Sequence, residues 1–181
     1  GRGEAPVIGV KNFMQSNESI FIVEGSMPNE RSAALVDDLF GIRYVDGKFV
    51  EFLDINAVVN KTKINSELLA NEKNVTDEMI TALSGQLEDV VAKAKEKLAE
   101  SYRKYKEATD PLIDAEVDKL AELEEKHRDY QLSLFTDERR KSEAERRVDE
   151  LFDSFTKWVK ETLDIRNNPY IRIITVLTGV E

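Results

Sequence analysis

Few side chains in this sequence are of types that do chemistry, and their spacing argues against most of it. His127 is the only histidine; it falls at core spacing on a helical apolar stripe, where packing or solvent exposure accounts for it better than a ligand role. Asp37-Asp38 and the carboxylates of Glu122, Glu124 and Glu125 are acid/base candidates by type alone. Catalysis needs such groups to converge in a cleft with shifted pKa values, which adjacency along a chain does not supply. Solvated faces are expected instead, and no catalytic, cofactor-binding or metal-binding residue is assigned. The chain has no cysteine, so neither a disulfide frame nor a thiolate metal site is available. The one basic concentration is Arg139, Arg140, Lys141, Arg146 and Arg147, a candidate contact for phosphates or for an acidic partner. Glu138, Glu143, Glu145, Asp149 and Glu150 interleave with it, and pairs such as Glu143 with Arg147 are expected to neutralise much of the patch.

A sharper constellation is Gln131-Leu132-Ser133-Leu134-Phe135. It resembles the short peptide by which bacterial polymerases, mismatch-repair and other replication proteins dock onto the sliding clamp. In that mode the glutamine hydrogen-bonds at a small polar subsite while the second leucine and the phenylalanine fill an apolar pocket. A few buried anchors of this kind carry most peptide affinity. The competing and favoured reading is that Leu132, Leu134 and Phe135 plug the end of a helical hairpin. A clamp-bound peptide is extended, so the segment would have to leave the helix or lie in the connecting loop, which Thr136-Asp137 as the next helix cap permits.

The elements that must position these residues follow from periodicity. Ile20 to Val23 is apolar on both faces, as a central covered strand requires, and ends at Met27-Pro28-Asn29. Two β-rich runs, Ile42 to Val45 and Lys48 to Phe52, flank Asp46-Gly47, the dipeptide of a two-residue hairpin turn. Ala5 to Met14 is ambiguous. Ser32 to Phe40 reads as strand in preference to a short helix, and a short helix is expected from Asp54 through Asn60, followed by a connection to Lys73. From Thr76, a candidate cap, a long charged helix carries Leu83, Leu87, Val91, Ala94, Leu98, Tyr102 and Tyr105 and then Leu112, Leu120, Leu123, His127, Tyr130 and Leu134. Its only breaker is Asp110-Pro111, read as a kink in preference to a restart.

A return helix to about Ile165 presents Ala144, Val148, Leu151, Phe155, Trp158 and Thr162 on one face. The first helix would span roughly 85 Å and the second roughly 45 Å. The return helix therefore covers only the distal half, and Leu83 to Tyr105 must pack on the sheet. Tyr170 to Thr178 reads as a closing strand. The expected fold is α+β: an antiparallel sheet of about four strands and an antiparallel, coiled-coil-like helical hairpin arm. The whole is one domain, with 1–75 mainly β, 76–165 helical and 168–179 the last strand.

This order of elements looks like the C-terminal accessory region of bacterial Swi/Snf-type helicase-like ATPases, including the RNA-polymerase-associated kind. The phrases that carry the likeness are IFIVEGSMPNERSAALVDDLFGIRYVDGKFV, ERRVDELFDSFTKWVKETL and NPYIRIITVLTG. The resemblance implies a parent protein that translocates on duplex DNA with an ATPase motor upstream in the same polypeptide, using ATP and magnesium. This chain has no G-x-x-x-x-G-K-[ST] phosphate loop and no acidic magnesium box, so it is expected to be non-catalytic and without cofactor. Its expected partners are that motor and the sliding clamp or RNA polymerase, with duplex DNA reached through the parent.

Composition sets limits on these expectations. The 26 basic and 36 acidic residues give a net charge of −10, which argues against broad, sequence-blind phosphate binding over the whole surface. No apolar run approaches the ~20 residues that cross a bilayer. The absence of cysteine and of a signal-peptide pattern points to the cytoplasm, and the start at Gly1 without methionine to a piece of something longer.

Overall fold

The computed structural model describes residues 4–64, 75–166 and 168–180. In chain order they form β1 (Val7–Lys11), β2 (Glu18–Pro28), β3 (Ala34–Val45), β4 (Lys48–Asp54), α1 (Ile55–Thr62), α2 (Asp77–Gly85), α3 (Leu87–Ser133), α4 (Glu138–Leu163) and β5 (Tyr170–Val180). The α+β class is as expected. Two compact units divide the chain: a sheet unit of Gly1–Met27, Val36–Ser101 and Asn168–Glu181, and a helical unit of Pro28–Leu35 and Tyr102–Asn167.

The sheet runs in the order β1-β5-β2-β3-β4. β2 lies at its centre, and its doubly apolar run explains why. Phe21 and Val23 face a core shared with Phe40, Ile42, Tyr44 and Val176, while Ile20 and Ile22 face a second core with Val10, Met14 and Leu177. β5 pairs antiparallel with β2, as expected of the closing strand. The sheet has five strands instead of about four because β1, within the ambiguous Ala5 to Met14, pairs parallel with β5 from Val7↔Val176 to Lys11↔Val180. A parallel neighbour contributed from the far end of the chain leaves no local turn signature. The β3–β4 hairpin turns at Asp46 and Gly47, both at positive φ (51° and 71°), as a two-residue primed turn requires. Ser32 to Phe40 resolves as a turn with Ser32 at φ 64° leading into β3.

Asp54 caps α1, accepting from the Ala57 N–H at 2.9 Å, and α1 buries Val58 in the second core. The expected connection toward Lys73 falls mostly on 65–74, outside the described residues. Thr76 caps α2 as expected, its hydroxyl accepting from the Met79 N–H at 3.3 Å. The helix expected to run unbroken from there instead ends at Gly85, and α3 begins at Leu87. Gly85 is a poor helix former, and the Gln86 N–H bonds back to the Leu83 carbonyl at 3.0 Å, a tightened last turn. The phase of the apolar stripe shifts there: Leu83, Val90, Ala94 and Leu98 are buried, Leu87 is exposed and Val91 half-buried. Leu83, Val90 and Ala94 cover the Phe21 face of the sheet, the surface to which helix lengths had directed them. α3 is continuous through Pro111, so the helix is not split there.

Two polar ties within the sheet unit escape sequence reading. The Tyr44 hydroxyl donates to Asp89 at 2.7 Å, and burial together with that carboxylate pushes the phenol well above its ordinary pKa. Glu18 is only 3% exposed. Burial pushes its carboxyl up, but Arg43 Nε at 2.6 Å, Lys61 Nζ at 3.1 Å and the Gln15 N–H at 3.3 Å outweigh this and hold it below its ordinary value. A group with a depressed folded pKa contributes stability that is present above the unfolded pKa and lost as pH falls through the folded one. Glu18→Gln is therefore expected to cost about 1–3 kcal/mol at neutral pH. In urea titrations at a series of pH values the gap to the wild type should narrow below 4.5, the ordinary value for this carboxyl. A pH-independent gap would refute the assignment.

Candidate interaction surface on the helical unit

Within the helical unit, α4 runs antiparallel to the second half of α3. Tyr105 Oη donates to the Leu163 carbonyl at 2.9 Å, Arg128 pairs with Asp149 at 2.7 Å, and the His127 and Phe152 rings lie 6.1 Å apart. Asp137 caps α4, its carboxylate accepting from the Arg139 N–H at 3.2 Å. α4 ends at Leu163, two residues short of the expected Ile165, which instead bridges to Asn29.

The side chains expected on the inner face of α4 divide. Ala144 and Val148 are buried, as is Val159, whereas Leu151, Phe155 and Trp158 are 43%, 46% and 49% exposed. On α3, Leu112, Leu123 and Tyr130 are likewise outside. Two helices bury only one seam between them, and small residues at that seam let the backbones approach closely. The large apolar residues are left along the rims. They line two open grooves, one between Leu120, Leu123, Tyr130, Phe152 and Phe155, the other around Phe155 and Trp158. The Arg31 guanidinium lies 6.0 Å from the Trp158 ring centroid, and Arg31 and Lys157 share Glu161 at 3.8 and 3.7 Å. Lys126 borders the first groove.

QLSLF lies at the turn of this hairpin, divided between two environments. Gln131, Leu132 and Ser133 are the last residues of α3, held by the Leu134 N–H to Gln131 carbonyl bond at 3.2 Å and the Phe135 N–H to Leu132 carbonyl bond at 3.3 Å. Leu134 is 54% exposed, whereas Phe135 is half-buried against a cavity of about 430 Å³ between the helices. The extended form that a clamp would take is therefore not the form adopted here.

The basic cluster is also divided. Arg139 pairs with Glu143 at 3.8 Å, Lys141 with Glu138 at 3.3 Å and Arg146 with Glu150 at 3.9 Å. The expected Glu143–Arg147 pair is not formed; Glu143 pairs instead with Arg139, one turn earlier on the same helix. Arg140 and Arg147 have no ion-pair partner among the described residues. Both line the cavity beside Phe135.

Among the acid/base candidates, Asp37 is exposed and Asp38 accepts from Ser101 Oγ. Adjacent strand residues point to opposite faces, so the two do not converge. Glu124 is tied to Arg128, while Glu122 and Glu125 face solvent. Sequence reasoning missed Asn29, which joins the Pro28–Leu35 segment to α4 within the helical unit; its signal was an asparagine after Pro28, noted only as turn-tolerant. No helix among the described residues is long and apolar enough to cross a membrane. Compared with family models, with curated proteins and with solved structures, the chain matches none.

Proposed function

We propose that this chain is a non-catalytic interaction module, an accessory domain of a DNA-translocating helicase-like ATPase of the kind its sequence resembles. It docks through the apolar rims of its helical hairpin. One observation carries the reading: the small residues Ala144, Val148 and Val159 are buried while Leu123, Tyr130, Phe155 and Trp158 stand 46–62% exposed. Apolar rows of this size on a two-helix layer call for a further layer. Lys126 borders the first groove, and Arg31 and Lys157 border the second with the single carboxylate of Glu161 between them. Both rims keep a net positive charge that suits an amphipathic helix with acidic flanks. Such a helix would come from the motor or from a DNA-bound machine.

The test is binding of the full chain to purified sliding clamp and, separately, to RNA polymerase, with p-benzoylphenylalanine at position 155 to trap the motor or another partner in cells. Leu123→Asp with Phe155→Asp is expected to keep the helical circular dichroism and weaken docking at least about tenfold, since few exposed anchors carry such interfaces. Leu134→Ala and Phe135→Ala should weaken docking only if QLSLF unwinds onto the clamp. Absence of binding up to about 100 µM, together with no cross-link from position 155, would end the interaction reading.

A further inference from the structure

Arg140 and Arg147 lie two turns apart on α4, and both line the cavity between α3 and α4, although acidic residues interleave with the basic ones along this helix. Their neighbours Arg139, Lys141 and Arg146 are each satisfied by a glutamate of the same helix. Across the cavity, α3 contributes Gln131, whose side-chain amide has no hydrogen-bond partner among the described residues. Phe135 and Val148 supply an apolar lining. The cavity thus combines two uncommitted guanidiniums, a free amide and an apolar wall with one carboxylate, Glu143, that is paired with Arg139.

We infer that this cavity is a binding site for an acidic peptide segment, with carboxylates two residues apart engaging Arg140 and Arg147. In an extended peptide, side chains at i and i+2 lie on one face about 7 Å apart. Two guanidiniums on flexible stems, set two helical turns apart, can converge on such a pair. Guanidinium binds carboxylate through paired, charge-assisted N–H bonds. The Gln131 amide, a donor and an acceptor, matches a peptide backbone unit. The methylenes of glutamate side chains suit the wall of Phe135 and Val148. Duplex DNA suits the site less well: Glu143 lines the same cavity, and Glu145, Asp149 and Glu150 flank it along α4. A continuous polyanion meets all of these, whereas a short acidic segment meets, besides the two free arginines, only Glu143, whose charge Arg139 offsets. This site rests on ion-pair arithmetic and not on the exposed apolar grooves, so it stands or falls independently of docking through them.

The test uses the full chain and the blocked peptide Leu-Glu-Ser-Glu-Leu, the same peptide with both glutamates replaced by glutamine, inorganic phosphate and a short DNA duplex. The readout is the arginine Nε–Hε resonances and the affinity. The glutamate peptide is expected to shift the Arg140 and Arg147 signals and to bind about tenfold more tightly than its glutamine counterpart, with that margin shrinking as salt is added. Arg140→Gln with Arg147→Gln should abolish the margin, and Arg139→Gln should leave it in place. All three side chains are exposed, so the fold is retained. Equal binding of the two peptides, no binding of either, or shifts confined to Arg139 and Arg146 would overturn the proposal. Shifts of Arg140 and Arg147 by duplex or phosphate alone would overturn it in favour of a phosphate contact.

Discussion

Asn29→Ala is expected to destabilise the helical unit by about 3–5 kcal/mol, the sum of several buried groups left without partners. Asn29 is 2% exposed, and each polar atom of its side chain is used. Nδ2 donates to the Thr162 carbonyl at 2.8 Å, while Oδ1 accepts from the Arg31 N–H at 2.9 Å and the Ala33 N–H at 2.8 Å. Thr162 lies in the last turn of α4, where carbonyls lack intrahelical donors, so this amide caps the helix from a distant segment. The surrounding contacts are weaker: Arg166–Glu30 at 3.0 Å and Arg31–Glu161 at 3.8 Å are both solvent-facing pairs of small worth. Urea unfolding and hydrogen exchange of the last turn of α4 measure the effect. Asn29→Asp keeps both accepting bonds but sets an anionic oxygen against the Thr162 carbonyl, so it should remain destabilised. A change within about 0.5 kcal/mol for the alanine variant would show that the segment is held by something else.

Gly179→Ala should cost the sheet unit about 3 kcal/mol or more, even though alanine is the smallest possible addition. A Cβ at position 179 would come 1.8 Å from the Gln15 carbonyl oxygen and 2.4 Å from its carbon. Backbone cannot swing aside as a side-chain tip can, and here it is anchored: the Gln15 carbonyl accepts from the Glu18 N–H at 2.9 Å, and Glu18 opens the central strand. Gly179 also pairs with Val10 in the β1–β5 ladder, so a shift of β5 is opposed on its other edge. Gly85→Ala is the control, because nothing lies within 4 Å of a Cβ there. That change should be neutral or stabilising by about 0.5–1 kcal/mol through the unfolded chain. Equal midpoints for the two variants in urea would show that β5 and the Met14–Gln15 segment part easily.

Both positions mark where reading the sequence stopped. The doubly apolar run Ile20 to Val23, the Asp46-Gly47 turn, the Asp54 and Thr76 caps and the closing strand from Tyr170 are local signals, written in residues that touch or lie one turn apart. The destination of the first part of the proximal apolar stripe was also legible, because a short return helix cannot cover a long one, although Tyr105, expected on the sheet, bonds to Leu163 of α4 instead. Two local signals were present but underweighted. Gly85 interrupts the long helix at Gln86, and Glu143 pairs with Arg139 and not with Arg147. A glycine inside a helix costs only about 1 kcal/mol and an i,i+4 ion pair is worth about 0.2–0.5 kcal/mol, so neither signal decides by itself.

The sequence by itself determined the class and most of the order of elements, though neither β1 nor the division of α2 from α3, because hydrophobic period, turn chemistry and caps act over a few residues. Only the tertiary structure decided three things: that β1 pairs parallel with β5, that Asn29 caps α4, and that Phe135, Arg140 and Arg147 share one cavity. Each joins residues on different elements, and the first two span most of the chain. Such contacts leave no periodic trace. They depend on which of several compatible surfaces meet once the cores around Phe21 and Ile20 have closed, and that is settled by packing over the whole unit.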